Sequence, residues 1–90
     1  MELITTASFQ NLTKTEQVGM VMVLGKNVLK RVSDGYSIHL YILSNIFIEV
    51  WYKKKSNNIV KLKITNRDDI VKNYGSMNDL VHYLFNDDKQ

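Results

Sequence analysis

From Tyr36 to Thr65, aliphatic residues alternate with polar or aromatic ones through three short segments, and this period of two constrains the fold more than any other feature. Successive side chains of a strand point to opposite faces. The segment from Tyr36 to Leu43 therefore places Tyr36, Ile38, Leu40 and Ile42 on one face and Ser37, His39, Tyr41 and Leu43 on the other. The segment from Ile46 to Lys54 separates Ile46, Ile48, Val50 and Tyr52 from Phe47, Glu49, Trp51 and Lys53. From Ile59 to Thr65, Val60, Leu62 and Ile64 oppose Ile59, Lys61 and Lys63. Asp34-Gly35 is a strong type I′ hairpin signal, which makes Val28 to Ser33 a further strand. The pattern predicts an antiparallel meander of three or four strands, with the remaining chain as its cover.

The turn at Ser44-Asn45 decides which rows share a face. A two-residue loop pairs Leu43 with Ile46 and puts His39, Tyr41 and Leu43 on the side of Ile48 and Val50. A three-residue loop pairs Ile42 with Ile46, aligns the aliphatic rows, and leaves an outer row of His39, Tyr41, Phe47, Glu49 and Trp51. One residue of slip exchanges the faces. The hydrophobic pattern favours the three-residue loop. Lys55 to Asn58 makes the next turn, because asparagine reaches positive φ at little cost.

Before the meander, Leu3 to Leu12 predicts a short helical turn with Phe9 and Leu12 on one face. Thr13-Lys14-Thr15-Glu16 fits a capping box, in which the threonine hydroxyl and the glutamate each satisfy one orphan backbone N–H. A helix from Lys14 to Leu24 follows, and Gly25 suits a left-handed cap. Val18, Val21 and Met22 form one apolar stripe, and Met20, Val23 and Leu24 a second that one sheet face does not cover. The second stripe packs on a C-terminal helix or forms a subunit interface; alternatively, Gly19 to Leu24 is partly strand. After the meander, Thr65 or Asn66 caps a helix with acids in its first turn, where the helix dipole favours them, ending near Tyr74 and Gly75. Ser76 to Asp79 opens a last helix with a stripe of Met77, Leu80, Val81, Leu84 and Phe85, and Asn86 to Gln90 is a frayed tail.

A chain of 90 residues is read as one α+β domain: the meander, an N-terminal helical segment and two short C-terminal helices. A core of this size gives roughly 5 to 10 kcal/mol of net stability. The chain has no cysteine, which excludes disulfides, thiolate metal sites and cysteine nucleophiles. Met1 to Thr6 has neither the basic nor the apolar region of a secretory signal, and no apolar run approaches the ~20 residues of a membrane span. The expected setting is the cytoplasm, without a membrane partner. Positive charge concentrates in the strands: eight cations against Asp34 and Glu49 give a net +6 between Lys26 and Lys63, whereas both flanks are net negative.

The run Tyr36-Ser37-Ile38-His39-Leu40-Tyr41, then Ile46-Phe47-Ile48-Glu49-Val50-Trp51-Tyr52, then a basic hairpin and a capped helix, resembles a group of short, functionally uncharacterised bacterial α+β proteins. The resemblance covers about the last two thirds of the chain. It implies a two-residue turn at Ser44-Asn45, against the hydrophobic pattern, and it implies no activity and no site residue.

Catalysis is poorly provided for, with no Gly-rich phosphate loop, nucleophile elbow or His-x-x-x-His. His39 and Glu49 would face each other under the three-residue register, the proximity that general acid–base chemistry needs together with a pocket, but they are read as a cross-strand polar pair on a solvated sheet face. His82 beside the last helix's stripe is read as packing, and neither a metal nor another cofactor is expected. Nucleic acid has better raw material: His39, Tyr41, Phe47 and Trp51 supply stacking faces, and Lys53, Lys54, Lys55, Lys61 and Lys63 follow a phosphate backbone. Lysines beside a hairpin also discourage edge-to-edge pairing, and Glu49 interrupts the platform. The apolar surplus of the first long helix and of the second sheet face points to a protein partner or a homo-oligomer. A non-enzymatic protein-interaction module is the first reading, and single-stranded nucleic-acid binding the alternative.

Overall fold

The computed structural model describes residues 4–75, in the order α1 (Thr6–Gln10), α2 (Lys14–Leu24), β1 (Lys26–Ser33), β2 (Tyr36–Leu43), β3 (Ile46–Lys53), β4 (Ile59–Thr65) and α3 (Arg67–Asn73). The four strands form one antiparallel sheet in chain order, so the meander has four strands and β1 is strand throughout. The expected helix after Ser76 and the tail, with His82, lie outside the described residues. Two helices precede the sheet, the short α1 within the expected turn of Leu3 to Leu12 and α2 over the expected Lys14 to Leu24.

Local sequence explains the helix ends. Thr5 and Ser8 cap α1 reciprocally, and Thr13 and Glu16 do the same for α2, with Glu16 N 3.1 Å from Thr13 Oγ1 and Thr13 N 2.9 Å from Glu16 Oε1. In α3 the cap is the Asn66 amide, which accepts from Asp69 N at 2.9 Å. Asp34 and Gly35 both take positive φ, 46° and 85°, as a type I′ turn requires.

Gly25 is needed for a reason other than the left-handed cap. Its φ is −78° and ψ 155°, an extended conformation. A Cβ there would sit 2.5 Å from the Val21 carbonyl oxygen and 3.3 Å from Tyr41 Cδ2, so glycine lets the chain turn sharply from α2 into β1. We expect Gly25→Ala to cost about 1–3 kcal/mol, the usual penalty for forcing a methyl into a packed site. Urea unfolding checks this, and an unchanged midpoint would show that the α2–β1 junction relaxes freely.

The register at Ser44-Asn45 reverses the hydrophobic-pattern expectation. Leu43 pairs with Ile46 across a two-residue loop, the turn implied by the bacterial resemblance, and Ser44 takes φ 55°. Consequently His39, Tyr41 and Leu43 share the front face with Ile46, Ile48, Val50, Leu62 and Ile64. The back face carries Ile38, Leu40 and Ile42 with Phe47, Glu49, Trp51, Lys61 and Lys63. Aligning all aliphatic residues is favoured only when one face of a sheet is buried. Here both are covered. Phe9 of α1 and Val21 of α2 join Leu43, Ile46, Ile48 and Val50 in the front core, and Ile70 and Tyr74 join Leu29 and Leu40 in the back core.

Helix α2 remains helical through Leu24, so no part of Gly19 to Leu24 is strand. Of its two stripes, Val21 is fully buried, whereas Met22, Val23 and Leu24 are 43, 79 and 61% exposed. Met22 therefore leaves the inner stripe, and half-buried Met20 packs on the front core instead.

Candidate functional site

On the back face, β3 carries Glu49 directly opposite Leu40 on β2 and Lys63 on β4, and α3 closes over it. Its side chain is 1% exposed. Burial of a carboxylate requires paired charge and filled acceptor sites, and both are present. Arg31 donates from Nε at 3.3 Å and from its terminal nitrogen at 3.2 Å, and Tyr74 donates its hydroxyl at 2.9 Å, all to Oε2. The Trp51 indole N–H donates to Oε1 at 3.1 Å. The guanidinium also lies 5.4 Å from the Trp51 ring centroid and 5.3 Å from that of Tyr74. Burial, then the hydrogen bond to Glu49, raises the Tyr74 hydroxyl pKa well above its ordinary value. This cluster ties β1, β3 and α3 together, with Arg31, Trp51 and Tyr74 each donating to the one carboxylate. It has the form of a structural node.

His39 and Glu49, expected on one face, stand on opposite faces: His39 pairs with Val50, and Glu49 with Leu40. The slip of one residue is the cause, and no proton passes directly between them through the sheet. On the front face the His39 Nε2 lies 3.3 Å from Ser37 Oγ, and its ring packs 4.8 Å from that of Tyr52. Desolvation, then the nearby Lys30 ammonium, lowers its pKa. Among the described residues no carboxylate orients this histidine, so the Ser37–His39 pair lacks the third group of a nucleophilic triad. The Tyr52 hydroxyl pKa is raised by burial and by its hydrogen-bonded neighbour Tyr41. Among the described residues, no group of three or more His, Cys, Asp and Glu side chains is arranged to hold a metal ion.

The anticipated row of His39, Tyr41, Phe47 and Trp51 is divided by the same slip. His39 and Tyr41 are on the front, and Phe47 and Trp51 on the back, where Phe47 packs against the core beneath α3. Trp51 stays half-exposed, but its N–H is held by Glu49 and the Lys61 ammonium sits 4.2 Å from its ring centroid. Lys53, Lys54, Lys61 and Lys63 are all exposed, with Lys61 and Lys63 on β4 and Lys54 in the turn that joins β3 to it. The lysines come together; the aromatic rings do not.

Arg31 and Tyr74 escaped the sequence reading. The Asp34-Gly35 hairpin fixes Arg31 opposite Ile38, one diagonal from Glu49, so its approach was recoverable from turn chemistry. Nothing local to Tyr74 signals its hydroxyl's destination 25 residues away.

Two grooves flank β4. One, of about 400 Å³, opens between the start of α2 and the β3–β4 turn at Asn57 and Asn58. The other, of about 320 Å³, lies between the α1–α2 pair and β4, bordered by Phe9, Gln10, Gln17, Leu62, Lys63 and Ile64. No described helix is long and apolar enough to cross a membrane. No protein-family model, curated protein or solved structure matches the chain.

Proposed function

We propose that this chain is a non-enzymatic protein-interaction module that self-associates through the outer side of α2. The exposure of Met22, Val23 and Leu24 supports the reading, because three consecutive large apolar side chains in water favour a contact that removes them. A second copy is a fitting occupant: Gln17 to Gly25 contains no charged residue, so the segment meets itself across a twofold axis without like-charge repulsion. A cytoplasmic setting belongs to the same proposal and is compatible with a chain that has no cysteine to oxidise.

Sedimentation equilibrium tests it. The expected result is a concentration-dependent dimer, insensitive to salt, that Val23→Glu converts to monomer while leaving the circular dichroism unchanged. A monomer across the accessible concentration range overturns the proposal. The alternative is single-stranded nucleic-acid binding by the basic hairpin. It expects instead a mass that rises with a random-sequence oligonucleotide only at low salt.

A further inference from the structure

We infer that the outer edge of β4 is a docking site for an extended acidic peptide, which adds to the sheet as a fifth strand. β4 ends the strand order, and among the described residues no strand pairs with its outer side. A bulge leaves Val60 without a partner on β3, and the Lys14 ammonium takes its carbonyl at 3.2 Å, which blunts that end of the edge. The run from Lys61 to Thr65 remains.

Two properties of this run define its occupant. Side chains of an added strand alternate between the same two faces as those of β4. On the front they meet the groove of about 320 Å³, where Phe9, Leu62 and Ile64 offer apolar contacts beside the polar side chains of Gln10, Gln17 and Lys63. On the back they meet exposed Lys61 and Lys63, with Lys53 at the end of β3, Lys54 and Lys55 in the adjoining turn, and no acid anywhere from Lys53 to Lys63. Alternate apolar and acidic residues fit, with main-chain bonds supplying affinity and the two faces supplying selectivity. A second copy of β4 does not, because lysines would oppose lysines across the new pair. Nucleic acid fits less well: it brings no aliphatic side chains for the groove, and the aromatic rings are divided between faces. The opposite edge is less available, since β1 is bulged at Val28 and its Arg31 is committed to Glu49.

The test is a fluorescence-anisotropy titration of the full chain with a labelled peptide of about eight residues alternating valine and glutamate. Amide shifts are mapped in parallel by NMR. Saturable binding is expected, with shifts concentrated at residues 61–65, and N-methylation of the peptide's edge-facing amides should abolish it. Lys61→Glu should weaken affinity at least about tenfold. Lys54→Glu, in the turn and away from any packed side, should act in the same direction if the first variant folds poorly. Val23→Glu should bind as the parent does, which separates this site from α2. No saturable binding at about 50 mM salt overturns the inference. Shifts centred elsewhere, or β4 shifts produced by an oligonucleotide and not by the peptide, overturn it as well.

Discussion

Glu49→Ala is expected to remove about 3–5 kcal/mol of stability, the usual cost of breaking a buried ion pair from one side. The variant strands the Arg31 guanidinium, the Trp51 N–H and the Tyr74 hydroxyl together. Arg31 retains 17% side-chain exposure, so water relieves part of its loss and the lower end of the range applies to it. The Trp51 N–H loses Oε1, and the fully buried Tyr74 hydroxyl loses Oε2. Against a total of roughly 5 to 10 kcal/mol, the variant should be marginally folded at room temperature. Urea unfolding followed by Trp51 emission reads both the midpoint and the loss of the indole's acceptor. The double variant Arg31→Met with Glu49→Leu should be more stable than Glu49→Ala alone, because it removes the stranded guanidinium and refills the volume, leaving only the Trp51 and Tyr74 donors unpaired. A double variant no better than the single would show that the carboxylate's value lies in its bonds to Trp51 and Tyr74.

Phe9→Ala should cost a similar amount, about 3–5 kcal/mol, through a different cause. Phe9 is 1% exposed and packs into the front core with Val21, Leu43, Ile46, Ile48 and Val50. Helix α1 has five residues, far below the length at which a helix holds in water unaided. Its capping box organises the first turn, but the phenyl ring is what fastens it to the sheet. The Gln17 side-chain amide, which donates to the Phe9 carbonyl at 2.9 Å, does not replace that burial. Hydrogen exchange should therefore accelerate throughout residues 4–12 even where β3 stays protected. Uniform acceleration across the sheet would show instead that α1 and the strands open as one cooperative unit.

Much of the local structure was legible because short-range chemistry specifies it. Thr13 and Glu16 announce the start of α2, Asp34-Gly35 announces the first hairpin, and alternation from Tyr36 onward announces the strands. Gly25 was correctly placed at a helix end but for the wrong reason, since its constraint comes from Tyr41 and the Val21 carbonyl. The outer row of aromatics failed as a prediction because it assumed one solvated face. Once α3 covers the back of the sheet, both rows of β2 and β3 are acceptable to water exclusion, and the hydrophobic pattern loses its power to choose between registers.

The amino-acid sequence by itself therefore determined the elements, their ends and the clustering of lysines around the β3–β4 hairpin. These depend on backbone preferences and charges a few residues apart. Only the tertiary structure decided which side chains share a face, that Glu49 is buried with Arg31, Trp51 and Tyr74, and that the end of α2 lies outside both cores of the chain. Those outcomes depend on what covers each surface, and cover is supplied by segments distant in the chain, whose packing a local pattern does not encode.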